Sequence, residues 1–278
     1  MSDTRSMSDH WGTGDVFAQI LDAMKVAGID PEKLTVQQLA PVDHFHARGF
    51  PATKDLADVL PIRAGDRLVD IGCGLGGPAR YLAERFGCEV DGIDITGPFV
   101  AAGNRLTEMV GLTGRVTIRH GDGQRLPYEN ERFEGAYTQH VTMNVADRER
   151  FFAEAFRVLK PGAFFALTEH GLGEVGDPHH PVPWSEDGSG EYLVRPDETA
   201  ALLERVGFAG IRVTDTGAKY LEGYRSAIAL AEAGKLPAFG VHILLGETAP
   251  QKVRNAARNI EEGRTRPVQI VCQRSKSC

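Results

Sequence analysis

The chain has 278 residues, of which 42% are hydrophobic and 25% charged, and its 31 basic and 38 acidic residues give a net charge of −7. These are the proportions of an ordinary globular protein, and an acidic chain without a basic stripe argues against nucleic acid as a partner, because phosphate backbones repel it. Four scattered cysteines without C-x-x-C spacing predict neither a disulfide framework nor a zinc site, and no apolar run has the length of a membrane span.

The N-terminal part of the chain is predicted to be helical. Residues 1–12 are polar and lack the apolar core of a signal peptide, so we expect them to be disordered and the protein to be cytoplasmic. Apolar residues at helical spacing predict a helix over residues 15–29. Residues 31–60 are predicted to form a helix, a loop rich in histidine and aromatic residues, and a second helix.

From residue 66 onwards, predicted strands alternate with predicted helices of roughly 10–15 residues, which is typical of βαβ units and a mainly parallel sheet. A Pro-Gly turn is expected at residues 161–162. The predicted strands cover residues 66–71, 88–95, 115–122, 133–141 and 163–170, and the predicted helices cover residues 77–87, 98–111 and 147–160.

The alternation stops after Glu169. Residues 171–194 are predicted to be a loop because glycines and prolines are frequent there. The remaining predicted elements are a helix at 197–207, a strand at 208–216, a helical insertion at 217–266 with helices at 224–234 and 249–263 around the apolar stretch 239–246, and a final strand at 267–274.

The stretch VDIGCGLGG follows the first predicted strand and satisfies two cofactor patterns. Gly72, Gly74 and Gly77 fit the dinucleotide pattern G-x-G-x-x-G, whereas Asp70 and the glycines up to Gly76 fit D-x-G-x-G-x-G, the loop that holds S-adenosylmethionine. Both patterns use residues without a Cβ because the backbone turns tightly and approaches the ligand closely. The glycines alone therefore predict a nucleoside-bearing ligand and leave hydride and methyl transfer open.

Acidic residues outside the glycines favour the methyl donor. Asp70 ends a buried strand, where a carboxylate is costly unless a donor such as the ammonium group of a methionine moiety pairs with it; alternatively, Asp70 only caps the glycine loop. Asp94 ends the second strand and fits the ribose hydroxyls of either cofactor. Asp122, before Gly123, is placed to accept from an adenine amine or to form a turn.

Residues 69–96, 121–141 and 156–170 together resemble the class I S-adenosylmethionine-dependent methyltransferases. The similarity is greatest to the small-molecule branch with sterol, glycine/sarcosine and natural-product methyltransferases, and it covers roughly residues 40–215. It implies an α/β, Rossmann-like fold with a seven-stranded, mostly parallel sheet, an antiparallel last strand and helices on both faces. The N-terminal helices and the helical insertion before the last strand are added to that fold.

The resemblance also divides the chain into three parts. Residues 1–55 are expected to be a helical segment that covers the cofactor. Residues 56–216 and 267–274 are expected to form the cofactor-binding core. Residues 217–266 are expected to be either a lid over the substrate or an oligomer contact.

The resemblance assigns the cofactor site by position. The glycine loop would line the methionine side, the ends of the second and third strands would hold ribose and adenine, and the end of the fourth strand would face the acceptor. The segment before the first strand would fold over the cofactor. The cofactor-binding residues are therefore expected to be Phe45, Arg48, Gly49, Asp70, Gly72, Cys73, Gly74, Asp94, Ile95, Asp122, Gly123, Gln139 and His140.

Methyl transfer from a sulfonium is an in-line displacement, in which an enzyme mainly positions and desolvates the two partners. No metal is required, and a base is needed only when the nucleophile carries a proton. His140, His46 and His170 are candidate bases because imidazole titrates near neutrality, and His140 is favoured because it ends the fourth strand. Glu169 could orient a cationic or hydroxyl-bearing acceptor.

Other histidines and aromatics have alternative interpretations. His44 with His46 in H-x-H spacing, and His179 with His180, are plausible metal ligands. Vicinal histidines in a proline-rich loop are more often solvated, so a functional metal site is not expected. The acceptor pocket is expected to come from residues 171–194 and the insertion, and its aromatic residues could instead form a small core of the lid. The aromatic candidates are Trp184, Tyr192, Tyr220, Tyr224, Phe239 and His242.

The leading hypothesis is a methyltransferase that moves a methyl group from S-adenosylmethionine to nitrogen, carbon or oxygen of a small molecule and releases S-adenosylhomocysteine. A regulatory or scaffold protein that binds the same cofactor without turnover is the alternative, and an NAD(P)-linked oxidoreductase is less favoured because of Asp70 and the order of the later motifs. We expect a small-molecule acceptor, no nucleic acid, no membrane and, as an open possibility, a homo-oligomer.

Overall fold

The structure is a computed structural model that describes residues 15–276. The expected disorder of residues 1–12 lies outside the described residues. No helix of the described chain is both long and apolar enough to cross a membrane.

Nine α-helices and seven strands are found in this part of the chain, in the predicted order. The helices are α1 (Val16–Val26), α2 (Val36–Asp43), α3 (Phe50–Ala57), α4 (Gly77–Phe86), α5 (Gly97–Met109), α6 (Arg148–Val158), α7 (Pro196–Val206), α8 (Gly217–Glu232) and α9 (Ala249–Glu261). The strands are β1 (Arg67–Ile71), β2 (Glu89–Asp94), β3 (Val116–His120), β4 (Phe133–Gln139), β5 (Leu159–Leu172), β6 (Phe208–Asp215) and β7 (Thr265–Arg274). Short 3-10 turns lie at Pro31–Lys33, Thr142–Asn144 and Val241–Leu244.

The seven strands form one sheet in the order β3-β2-β1-β4-β5-β7-β6. Strands β1 to β5 pair in parallel, whereas β7 is inserted between β5 and β6 and runs antiparallel to both. This confirms the expected seven-stranded sheet with an antiparallel last strand. The strand order reverses between β1 and β4, and in open α/β sheets ligands bind at such a point, outside the carboxyl ends of the strands.

The sheet separates two apolar cores because successive side chains of a strand point to opposite faces. On one face, Val69 and Ile71 of β1 belong to a buried cluster with Phe151 of α6. On the other face, Leu68 of β1 belongs to a cluster with Leu82 of α4. Helices therefore cover both faces, as expected.

Most predicted boundaries differ from the structure by three residues or fewer, and two differ by more. Helix α6 ends at Val158, and the expected Pro-Gly turn lies inside β5, where the pairing with β4 shifts register between Phe133 and Gly135. The irregularity arises because Leu159 already pairs with Phe133 before the regular pairing resumes at Phe164. Helix α8 begins at Gly217, seven residues before the predicted start, because the Asp215 carboxylate accepts from the Gly217 N–H at 2.8 Å.

A buried ion pair anchors the N-terminal helices beneath the glycine loop. Arg80 of α4 donates to Oδ2 of Asp43, the last residue of α2, at 2.8 Å, and neither side chain is exposed to solvent. Arg80 also donates to the carbonyls of Leu75 and Gly103, which satisfies most of its guanidinium. A Cβ at Gly77 would lie 2.4 Å from the Asp43 carbonyl oxygen, so the two helix ends are in direct contact.

We predict that Asp43→Ala destabilises the protein by about 3–5 kcal/mol, because it leaves the permanent charge of Arg80 buried without a counter-ion. Urea unfolding of the variant and the wild type measures this difference in the free energy of unfolding. The control is Arg225→Ala, which removes an exposed pair with Glu261 and should cost less than about 1 kcal/mol. An equally small loss for Asp43→Ala would contradict the anchoring role.

Candidate functional site

A cavity of about 700 Å³ lies at the carboxyl ends of β1 to β5. Its walls include the loop after β1, the ends of β2 to β4, the segment 45–51 and parts of α8 and α9. We call the part around Gly72, Gly74, Asp94 and Asp122 the glycine end. The part around His46, His140, His170 and Trp184 is called the histidine end.

At the glycine end, the loop after β1 is held against β2. The backbone N–H of Gly72 donates to the Ile93 carbonyl at 2.7 Å, and that of Gly74 donates to the Asp94 carboxylate at 2.7 Å. Gly72 has a positive φ of 80°, and a Cβ there would lie 2.2 Å from Val141. Glycine is therefore required both by the turn and by the packing of the loop against the segment after β4.

Asp94 is fixed at the rim of the glycine end. One carboxylate oxygen accepts from Gly74, and the other accepts from the Thr96 N–H at 2.8 Å. Desolvation raises the pKa of Asp94, while the backbone hydrogen bonds oppose that shift. A carboxylate has about four lone-pair sites, so Asp94 retains capacity to accept from two hydroxyls of a ligand in the cavity.

Asp122 also lines the glycine end. It accepts from the backbone N–H of Gln124 at 2.8 Å and so forms the expected turn. A Cβ at the next residue, Gly123, would lie 2.6 Å from the ring of Phe151, so the turn fits only when this position is glycine. The turn and ligand interpretations of Asp122 are thus compatible.

Asp70 and Cys73 are the predicted cofactor residues that do not line the cavity. Asp70 is buried behind the loop, desolvation raises its pKa to about 8, and its Oδ2 has no hydrogen-bond partner among the described residues. The Cys73 side chain is also buried, and its sulfur packs so closely on Gly92 that a Cβ there would lie 2.7 Å away. The structure therefore corrects the expectation that Cys73 lines the methionine side.

Glu169 does not line the cavity either. Its carboxylate accepts from Thr142 at 2.6 Å, from Arg148 at 2.6 Å and from Thr199 at 2.7 Å, and the residue is buried. These bonds tie β5 to α6 and α7. The structure thus gives Glu169 a structural role instead of the expected contact with an acceptor.

Three histidines converge at the histidine end. The rings of His46 and His140 are stacked with centroids 5.7 Å apart, and the His140 and His170 centroids are 5.4 Å apart. Tyrosines of α8 bind two of them: the Tyr220 hydroxyl is 2.7 Å from His140 Nε2, and the Tyr224 hydroxyl is 3.2 Å from His170 Nε2. The insertion thereby completes this end of the cavity.

Desolvation keeps these imidazoles uncharged. It lowers the pKa values of His46 and His170 to about 3 each. The pKa of His140 is well below its usual range, because desolvation acts together with the neighbouring His170 and His46. The three rings are therefore neutral near pH 7 and present hydrogen-bonding nitrogens without charge.

Two residues at the cavity have an unusual backbone conformation. His140 has φ of 57° and Arg48 has φ of 64°, in the left-handed region that non-glycine residues seldom adopt. The His140 N–H donates to the Thr168 carbonyl at 2.8 Å, which holds the turn after β4. Such strain is concentrated at functional sites because the surrounding structure must enforce it.

Thr53 of α3 organises the histidine end, although the sequence analysis missed it. Its buried hydroxyl lies 2.9 Å from His44 Nδ1, 3.0 Å from His46 Nε2 and 3.2 Å from Gln139 Oε1. One hydroxyl thus joins two side chains of the segment before α3 to Gln139 at the end of β4. A single threonine in a short helix gives no sequence signal of this role.

Most other predicted residues do line the cavity, including eleven of the thirteen cofactor residues and His46, His170, Trp184, Tyr192 and Tyr224. Tyr220 lies behind His140, and Phe239 packs in the core around α1. The lining residues that sequence analysis missed include Thr96, Phe99, Gln124, Val141, Met143, Asn144, Lys219, Glu222, Val241, Leu245 and Val253.

The two histidine pairs considered as metal ligands have other partners. His44 contacts Thr53, and His179 pairs with Glu262 at 2.8 Å. Within residues 15–276, no group of three or more His, Cys, Asp or Glu side chains is arranged to hold a metal ion.

We predict that Thr53→Val lowers the free energy of unfolding by about 1–3 kcal/mol, because the isosteric side chain leaves buried polar atoms of His44, His46 and Gln139 without their partner. Thr53→Ser keeps the hydroxyl, so its free energy of unfolding should fall clearly less than that of Thr53→Val. Urea unfolding of both variants measures the difference. A valine variant as stable as the serine variant would show that the hydroxyl contacts are not required.

Comparison with known proteins gives a consistent result. Residues 69–167 match the family model of a methyltransferase domain. The chain is 29% identical over 209 residues to methyltransferase phqN of Penicillium fellutanum, covering 72% of this chain and 61% of that protein. It is 32% identical over 172 residues to 27-O-demethylrifamycin SV methyltransferase of Amycolatopsis mediterranei, covering 60% of each. The match thus spans less than two thirds of these curated relatives.

Solved structures share the fold over nearly the whole chain. A phosphoethanolamine N-methyltransferase of Haemonchus contortus, in complex with phosphomonomethylethanolamine and S-adenosylhomocysteine, has a TM-score of 0.76 at 20% identity and covers 98% of this chain and 61% of that chain. The geranyl diphosphate C-methyltransferase of Streptomyces coelicolor has a TM-score of 0.73 at 19% identity and covers 99% and 98%. At these identities the likeness establishes the fold alone.

Proposed function

We propose that this chain, whose residues 69–167 match a methyltransferase domain, is a class I methyltransferase that transfers a methyl group from S-adenosylmethionine to a small-molecule acceptor. One observation carries the proposal: a single cavity joins the glycine loop and Asp94 at one end to three neutral histidines at the other. S-adenosylhomocysteine is the second product.

The glycine end fits the cofactor. Asp94, at the end of β2, and Asp122 both line this end, and in the proposed complex Asp94 accepts from the ribose hydroxyls and Asp122 from the adenine amine. Gln139 lines the cavity, and its Nε2 group has no hydrogen-bond partner among residues 15–276, so this group has capacity to donate to a ligand.

When bound, S-adenosylmethionine would supply a methyl group that is activated by the positively charged sulfonium. The nucleophile would displace the sulfur in line and take this methyl group. The chain holds the nucleophile and excludes water, and neutral His140 accepts the proton of a protic nucleophile. Desolvation lowers the pKa of His140, so this imidazole would be uncharged, and able to accept a proton, before the transfer. A free amine acceptor needs no base.

The segment before β1 and the insertion act together as the cover of the site. Arg48 donates to Asp55 with both terminal nitrogens at 3.1 Å, and Lys219 of α8 donates to the same carboxylate at 2.8 Å. The Arg48 guanidinium lies 5.6 Å from the Tyr220 ring centre. These contacts favour a lid, and not an oligomer contact, as the role of residues 217–266. The homo-oligomer stays a prediction.

A cytoplasmic location is also part of the proposal. It is supported by Cys73, Cys88 and Cys272, which are buried free thiols.

The alternative function is a scaffold protein that binds the cofactor without turnover. Incubation of purified protein and cell extract with S-adenosylmethionine labelled in the methyl group distinguishes this alternative from a methyltransferase. Transfer of label to a small product supports the proposed function, whereas binding without any transfer supports the scaffold, and binding of NAD would favour an oxidoreductase.

We predict that Asp94→Ala weakens S-adenosylmethionine binding at least tenfold, because hydrogen bonds to a charged group contribute roughly 1.5–3 kcal/mol. Isothermal titration calorimetry measures the dissociation constant. Glu89→Ala, at the exposed beginning of the same strand, is the matched control and should bind as the wild type does. Unchanged affinity in Asp94→Ala would remove Asp94 from the cofactor site.

We predict that His140→Ala lowers turnover at least about 100-fold, the usual contribution of a positioned base, while the dissociation constant of S-adenosylmethionine changes by less than about threefold. The labelled-methyl assay and calorimetry measure the two quantities. Tyr220→Phe removes only the hydroxyl bound to His140 and separates loss of the imidazole from loss of its partner. Turnover near wild type in His140→Ala would exclude it from the mechanism.

A further inference from the structure

A buried nitrogen at the histidine end has no partner. His170 is 1% exposed and lines the cavity. Its Nε2 contacts Tyr224, but its Nδ1 has no hydrogen-bond partner among the described residues. A buried polar atom without a partner costs about 1–3 kcal/mol, and because His170 lines the cavity, a group of a ligand bound there could supply the partner of Nδ1.

The surroundings of His170 are aromatic. Its ring is stacked on Trp184 with centroids 4.5 Å apart and an interplanar angle of 27°, and it meets the Tyr220 ring edge-on at 5.6 Å. Tyr192 and Tyr224 add to the same wall of the cavity. Such a wall favours an apolar or aromatic ligand body with few polar groups.

The basic side chains that line this end are already paired. Arg48 and Lys219 both bind the carboxylate of Asp55. Unpaired cationic side chains are the strongest donors to a phosphate group, and the described lining residues at this end include no other arginine or lysine.

The acidic side chains are equally unsuited to a buried cation. Glu222 lines the cavity but is exposed to solvent. Glu169 does not line the cavity and is paired with Arg148. The other lining carboxylates, Asp94 and Asp122, belong to the glycine end. A buried ammonium group would therefore lack a counter-ion near the three neutral imidazoles, and burying an unpaired charge is unfavourable.

We propose that the histidine end binds an uncharged acceptor with an aromatic or apolar ring body, and that His170 Nδ1 hydrogen-bonds a hydroxyl group of that acceptor. A hydroxyl both donates and accepts, so it fits either position of the imidazole proton. This inference rests on the proposed function. It sets this chain apart from solved structures whose bound molecules are phosphomonomethylethanolamine or geranyl-S-thiolodiphosphate, both of which carry phosphate groups.

The test uses probes that share one ring system and differ in charge. 2-Naphthol, 2-naphthyl phosphate and (2-naphthylmethyl)ammonium are titrated by calorimetry into the full chain saturated with S-adenosylhomocysteine. We expect 2-naphthol to bind at least about tenfold more tightly than either charged probe. 2-Naphthol should also bind about fivefold more tightly than 2-methylnaphthalene, because roughly one net hydrogen bond has an effect of that size. This comparison is made on the wild-type protein.

A variant then assigns the hydroxyl contact to His170. His170→Phe keeps a ring against Trp184 but removes Nδ1, so 2-naphthol should lose about fivefold in affinity while 2-methylnaphthalene binding and the dissociation constant of S-adenosylhomocysteine stay unchanged. The matched control is His179→Phe, which lies outside the cavity lining and should bind all probes as the wild type does.

Three results would overturn the proposal: a charged probe that binds as tightly as 2-naphthol, no measurable binding of any probe, or equal binding of 2-naphthol and 2-methylnaphthalene by the wild type. A His170→Phe variant that retains the full preference for 2-naphthol would overturn the role of His170. Failure of S-adenosylhomocysteine itself to bind the wild type would instead refute the proposed function, so the two failures are distinguishable.

Discussion

The buried ion pair between Asp43 and Arg80 is the constraint on which the site depends. It joins the end of α2 to the helix that follows the glycine loop, and neither charge reaches solvent. Residues 44–49 follow Asp43 directly, so the pair determines where His46 and Arg48 enter the cavity. Breaking such a pair leaves an uncompensated charge, which makes the position of the N-terminal segment strongly specified.

The position of that segment decides the position of the insertion. Arg48 reaches Asp55, which also binds Lys219 of α8, and Tyr220 of the same helix binds His140. The cover and the core therefore meet through a few polar contacts around the histidine end. The closure removes water from the three histidines, and this desolvation is the first cause of their lowered pKa values.

Local patterns predicted much of the fold. The alternation of strands and helices, the glycine loop and Asp94 at the end of β2 were all found where the sequence placed them, because each depends on short-range periodicity or on backbone geometry that only glycine permits. The Pro-Gly stretch in β5 was predicted wrongly as a turn. Pairing of Leu159 with Phe133, a contact between distant residues, extended the strand through it.

Sequence reasoning correctly predicted the residues of the candidate site that directly follow strand ends. It was wrong for side chains that could pair with several different groups. The sheet and the glycine end of the cavity could be predicted from the sequence, since residue type and position in a strand are enough to specify them. Only the tertiary structure decided that Glu169 faces Arg148, that Cys73 faces the core, that Thr53 joins His46 to Gln139 and that His170 keeps an unpartnered nitrogen. The physical reason is that these outcomes depend on which donors and acceptors distant segments bring together, and spacing along the chain does not encode that.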